Sequence, residues 1–110
     1  MVIATRILTL RRDDGVIDVP IRIHAPEQEG GSWKCRYEIG WPEETLEHAG
    51  FGEDAVQALE LTLNMIGALL YTSEHHKSGR LMWLEPGRGY GFPVAKTIRD
   101  LLVGDDKEFF

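Results

Sequence analysis

Cysteine occurs once in this chain, at Cys35, so no internal disulfide can form. A lone thiol fits a reducing compartment, and the cytoplasm is the expected location. No apolar run approaches the roughly 20 residues that a membrane-spanning helix requires. No charged-then-apolar leader stands at the N-terminus, and no membrane association is expected. Clustered lysine and arginine are missing as well. The net charge is −6, which argues against a protein that neutralises nucleic-acid phosphates.

Phosphate and dinucleotide loops are also absent. Lys96-Thr97 follows Ala95 rather than the glycine of a P-loop, and Gly87, Gly89 and Gly91 make G-x-G-x-G with no parallel β-α-β unit around them. Glu74-His75-His76 falls short of a metal site, because zinc takes three or four ligands and adjacent histidines at a helix end diverge. No metal and no cofactor is expected, and no catalytic residue stands out.

What the chain has, at 43% hydrophobic and 27% charged, is the composition of an ordinary globular domain spanning 1–110. Its acidity is localised. Residues 1–42 and 61–110 each balance six basic against six acidic side chains, whereas 43–60 hold Glu43, Glu44, Glu47, Glu53, Asp54 and Glu60 with no Lys or Arg. Such a patch can steer a basic protein partner. It also suits the first turn of a helix, whose dipole favours acids.

A long amphipathic helix is expected over Phe51–Ser73. Val56, Leu59, Leu63, Ile66 and Leu70 recur at spacings of three and four, and Glu53, Gln57, Glu60, Asn64, Gly67 and Tyr71 form the opposite strip. Asp54 and Gln57 match a capping box. Gly67 is costly in a helix, which suggests a close neighbour at that strip, either a loop or a second copy in a homodimer.

Before the helix, residues 3–10 read as a strand and Asp13-Asp14-Gly15 as a hairpin turn. Ile17, Val19, Ile21 and Ile23 alternate along a second strand, where Pro20 points to a sheet edge or a bulge. Pro26 to Ser32 reads as a loop. Trp33, Cys35, Tyr37, Ile39 and Trp41 share one face of a third strand, which turns Cys35 towards the core. The outer face carries Arg6, Arg22, His24, Lys34 and Arg36 with Asp18 and Glu38. Thr45 to Phe51 adds a fourth strand, and Leu81 to Leu84 returns as a short one. Val94 to Val103 has helical spacing, with Gly104 as its stop and a tail beyond. The expected fold is α+β: an antiparallel sheet of four to five strands packed on one long helix, with a short C-terminal helix.

Trp33-x-Cys35-Arg36-Tyr37-Glu38-Ile39, Gln57-Ala58-Leu59, Met65-Ile66-Gly67, Gly79-Arg80-Leu81-Met82-Trp83, Pro86-Gly87-Arg88-Gly89-Tyr90-Gly91-Phe92-Pro93 and Ile98-Arg99-Asp100-Leu101-Leu102 together resemble a family of small uncharacterised bacterial proteins. That resemblance implies no activity. The hairpin strands and the Gly-x-Asp-x-x-Gln-Ala-Leu helix are more loosely similar to immunity proteins of bacterial toxin systems. The leading expectation is a non-catalytic interaction module, with Glu43, Glu44, Glu47, Glu53, Asp54 and Glu60 facing a basic partner. The alternative is a small-ligand binder or small enzyme that uses Arg80, Arg88, Tyr90 and Phe92 in the glycine-rich loop.

Overall fold

Strict alternation in the Trp33–Trp41 stretch places Cys35, Tyr37 and Ile39 in the core, with Arg36 outside, in a computed structural model that describes residues 1–110. The strands are β1 (Val2–Arg12), β2 (Gly15–His24), β3 (Glu27–Glu29), β4 (Ser32–Gly40), β5 (Thr45–Gly52) and β6 (Leu81–Met82). The helices are α1 (Ala55–Tyr71), α2 (Glu74–Lys77) and α3 (Gly104–Phe109), with a 3-10 segment at Lys96–Leu101. The six-stranded sheet runs β3-β4-β2-β1-β6, and β5 pairs with β4. The fold is therefore α+β with one strand more than the upper expected number. The extra strand is β3, whose Glu-Gln-Glu sequence shows no apolar alternation. It pairs with β4, Glu27 opposite Lys34 and Glu29 opposite Ser32, across the Gly30-Gly31 turn.

Contacts divide the chain into two compact units, Met1–Ile7 with Val19–Thr62, and Leu8–Asp18 with Leu63–Phe110. In the first unit, β5 pairs with β4 along its length, from Trp33 opposite Gly52 to Gly40 opposite Thr45. On its other side β4 meets β2, with Ile21 opposite Ile39 and Ile23 opposite Tyr37. Pro20 does not put β2 at an edge. The pairing with β4 ends at Ile21, so the missing N–H of Pro20 falls just past the ladder, and the proline ring lies against Gly40.

The first half of α1 packs on β4 and β5 through Thr62. Its hydroxyl accepts from Gly50 N–H at 3.1 Å and donates to the Cys35 carbonyl at 3.0 Å, satisfying two backbone groups in the core. The capping box forms: Asp54 Oδ1 accepts from Gln57 N–H at 2.8 Å, and Gln57 Oε1 accepts from Glu53 N–H at 2.7 Å. It starts the helix at Ala55, later than the expected Phe51, because Phe51 and Gly52 are held in β5. Cys35 is fully buried and its thiol is pushed up by desolvation, which leaves it an unreactive core residue.

In the second unit, β6 pairs with β1 at Thr9–Met82 and Leu10–Leu81. The second half of α1 buries Ile66, Leu70 and Tyr71. Gly67 does have a close neighbour, which is the chain's own loop: a Cβ there would fall on the Pro93 carbonyl oxygen. The expected helix over Val94–Val103 is instead the 3-10 segment, and Gly104 opens α3 rather than stopping a helix. Ile98, at φ −123°, breaks the helical run. Leu84 departs from the expected strand as well. It sits at φ 66° between Trp83 and Glu85, whose N–H donates to the Trp83 carbonyl at 2.7 Å, and its side chain is 65% exposed. That is a γ-turn, a conformation that costs a β-substituted residue some strain.

Candidate functional site

The strongest site geometry lies in the first unit, on the face of β4 and β5 turned away from α1. Register fixes it: Lys34 lies opposite Phe51, Arg36 opposite Ala49, and Glu38 opposite Glu47. From β2, His24 reaches the same face, where its Nε2 and Glu38 Oε1 share a hydrogen bond at 3.0 Å. Arg22 lies 4.0 Å from the other Glu38 oxygen, and Lys34 pairs with Glu29 at 3.5 Å. A cavity of about 330 Å³ opens here, lined by these strands and including His24, Arg36, Tyr37, Glu47 and Phe51. His24 Nδ1 is buried without a hydrogen-bond partner, as is the Tyr37 hydroxyl, which lies on the opposite, α1 side of the sheet with Cys35 and Ile39. Burial also raises the Tyr37 phenol, keeping it protonated.

The acidic segment does not form one surface. Glu43, Glu44 and Glu47 gather at the start of β5, and Glu53 and Asp54 follow its end. Six residues of extended chain take Glu47 to Glu53, a separation of about 20 Å at ~3.3 Å per residue. Asp54 is committed to the helix cap, and Glu60 lies on α1. Only Glu47 joins the cavity.

The glycine-rich loop in the second unit is occupied with internal contacts. Arg80 pairs with Asp13 at 3.2 Å, and Arg88 with Asp105. Tyr90 and Phe92 are buried. Tyr90 belongs to a polar cluster that the sequence does not announce. Asp106 from α3, 1% exposed, accepts from the Tyr71 hydroxyl at 2.6 Å, from Tyr90 N–H at 2.8 Å and from Gly91 N–H at 2.7 Å. The Tyr90 hydroxyl shares a short hydrogen bond with His76 Nδ1. Desolvation, with the Asp106 charge nearby, pushes both phenols well above their ordinary range. A cavity of about 390 Å³ borders this cluster at His76, Gly79, Leu81 and Tyr90. His76 is therefore at a cavity wall, while His75 is not among the residues that line it. No group of three or more His, Cys, Asp or Glu side chains is placed to hold a metal ion. No helix is long and apolar enough to cross a membrane.

A family profile for a domain of unknown function matches residues 4–94. The chain belongs to the DUF6968 family. No curated protein and no solved structure matches it. The DUF6968 span takes in the whole β4–β5 face and the His76–Tyr90 pair, and it ends before Asp106. No activity comes with the family.

His76 provides a pH readout for the second-unit cluster. Burial lowers its pKa below the ordinary 6.5, so the folded state prefers the neutral imidazole. The unfolded chain then binds the proton more readily. Stability from this residue is complete above pH 6.5 and is lost as pH falls through the lowered folded value. Urea unfolding at pH 7.5 and pH 5.5 should show lower stability at the acidic pH, and a His76→Gln variant should show a smaller difference between the two.

Proposed function

We propose that this DUF6968 protein is a non-catalytic interaction module of the bacterial cytoplasm, which captures a basic protein partner through Glu43, Glu44 and Glu47. The observation that carries this reading is the register pairing Glu38 with Glu47. Like charges directly opposite across strands are destabilising. Glu38 is compensated by His24 and Arg22, but Glu47 has no cation of its own chain. Glu44 in the adjoining turn likewise has none. Carboxylates left uncompensated at one end of a strand make a site for a cation supplied from outside, and at a rim they act chiefly on encounter rate and salt dependence. The looser likeness to immunity proteins implies the same kind of task, the capture of one protein by another.

The test is capture from host lysate at low and high salt, comparing the native chain with a Glu43→Gln/Glu44→Gln/Glu47→Gln variant. The native chain should hold a basic protein at low salt and release it at high salt. The variant should bind it about tenfold more weakly. Equal capture by the two would sink the acidic-patch reading.

A second reading, a small ligand at the 80–93 loop, rests on the cavity beside His76 and Tyr90. Metabolites that raise the melting temperature, with the rise lost in Arg88→Ala, would favour it.

A further inference from the structure

We propose that the cavity between β4 and β5 binds a small zwitterion, a free α-amino acid. Its wall presents one uncompensated charge of each sign. Arg36 has no carboxylate partner in the chain, and Glu47 has no cation partner. The two are diagonal neighbours across the β4–β5 ladder, since Arg36 lies opposite Ala49 and Glu47 opposite Glu38. Diagonal positions lie about 7–8 Å apart, within reach of long side chains. They nevertheless do not pair with each other.

His24 adds a further polar side chain to the same wall. Glu38 holds the Nε2 side of His24 at 3.0 Å, which places the imidazole proton there and leaves Nδ1 as an acceptor in the neutral ring. Two acceptors, Glu47 and His24 Nδ1, answer an ammonium. Arg36 answers a carboxylate, with the guanidinium able to grip it in bidentate fashion. Phe51, half-exposed, offers an apolar wall to the ligand's side chain. A volume near 330 Å³ lies at the small end of small-molecule sites, which start at about 300 Å³. A simple anion would meet Glu38 and Glu47, and a simple cation would meet Lys34 and Arg36. A zwitterion satisfies both signs.

The test is thermal melting of the full chain against each standard amino acid at millimolar concentration, followed by calorimetry on whichever binds. At least one should raise the melting temperature by a few degrees. Its N-acetylated and its amidated derivatives, each lacking one charge, should fail to bind. Arg36→Ala and Glu47→Gln should each weaken binding about tenfold or more. No shift with any amino acid would overturn the proposal. So would derivatives that bind as well as their parent, or an Arg36→Ala variant that binds like the native chain. Arg36 does not belong to the acidic patch, so its variant separates this site from partner capture.

Discussion

Asp106→Ala should cost about 4 kcal/mol of unfolding free energy, among the largest effects of any single substitution in this chain. The carboxylate is 1% exposed and accepts three hydrogen bonds, from the Tyr71 hydroxyl and from the N–H groups of Tyr90 and Gly91. Removing it takes the Asp106 acceptor from three donors, and each buried group left unsatisfied costs about 1–3 kcal/mol. The full sum is not expected, since a small cavity lined by polar groups can admit water. The local backbone makes repair difficult. A Cβ on Gly89 would meet the Asp106 carboxyl carbon at 2.6 Å, and one on Gly104 would fall on the Arg88 carbonyl. Loop and α3 are therefore in direct backbone contact, with Gly104 at φ 58° so that the chain can turn into α3. Urea unfolding measures the loss. Asp106→Asn should fall between the native chain and Asp106→Ala, because its amide retains one acceptor oxygen but turns a donor towards donors. A loss below about 1 kcal/mol for Asp106→Ala would mean that α3 is not held by this carboxylate.

Nothing in the sequence marks Asp106 out. It lies in an acidic run, Asp105-Asp106, that reads as a solvated tail, and its partners Tyr71 and Tyr90 stand 35 and 16 residues away. Buried polar clusters of this kind are made by tertiary approach, and a one-dimensional pattern carries no trace of them. The strand readings fared better because period-two alternation is a local property. Cys35, Tyr37 and Ile39 are buried as their spacing requires, and β5 occupies the segment expected of a fourth strand. Helix α1 shows where periodicity loses its grip. Apolar residues surround much of it, so spacing alone does not choose the buried face. Val56, expected in the core, is 72% exposed, whereas Thr62 and Tyr71 are buried. The buried line is Ala58, Thr62, Ile66 and Leu70, at a strict spacing of four. Its polar member is there for the backbone groups of Gly50 and Cys35.

The candidate cavity was half legible. Arg22, His24, Lys34, Arg36 and Glu38 share a sheet face by alternation alone. Glu47 and Phe51 join them only once the β4–β5 register is known, since a slip of one residue would turn both to the other side. The length of β5 explains why acids that share one segment of the sequence part in space, with Glu43, Glu44 and Glu47 at its start, Glu53 and Asp54 past its end and Glu60 on α1.

Gly67→Ala should destabilise the protein by about 2 kcal/mol, against the sign that helix propensity alone demands. Alanine in place of glycine inside an exposed helix gains ~1 kcal/mol. Here the added methyl would coincide with the Pro93 carbonyl oxygen and crowd the Val94 side chain. A backbone carbonyl cannot rotate away as a flexible side chain can, so the 93–94 segment must shift, and with it the buried Phe92 and Val94. Overpacking of this kind costs typically about 1–3 kcal/mol. At the upper end of that range the clash outweighs the propensity gain, and Gly67→Val, with a bulkier and β-branched side chain, should lose more. Chemical denaturation of the two variants checks both the sign and the order. A stabilised Gly67→Ala would show that Pro93 does not hold its place against α1, and would reopen that helix face to contact with a second copy of the chain.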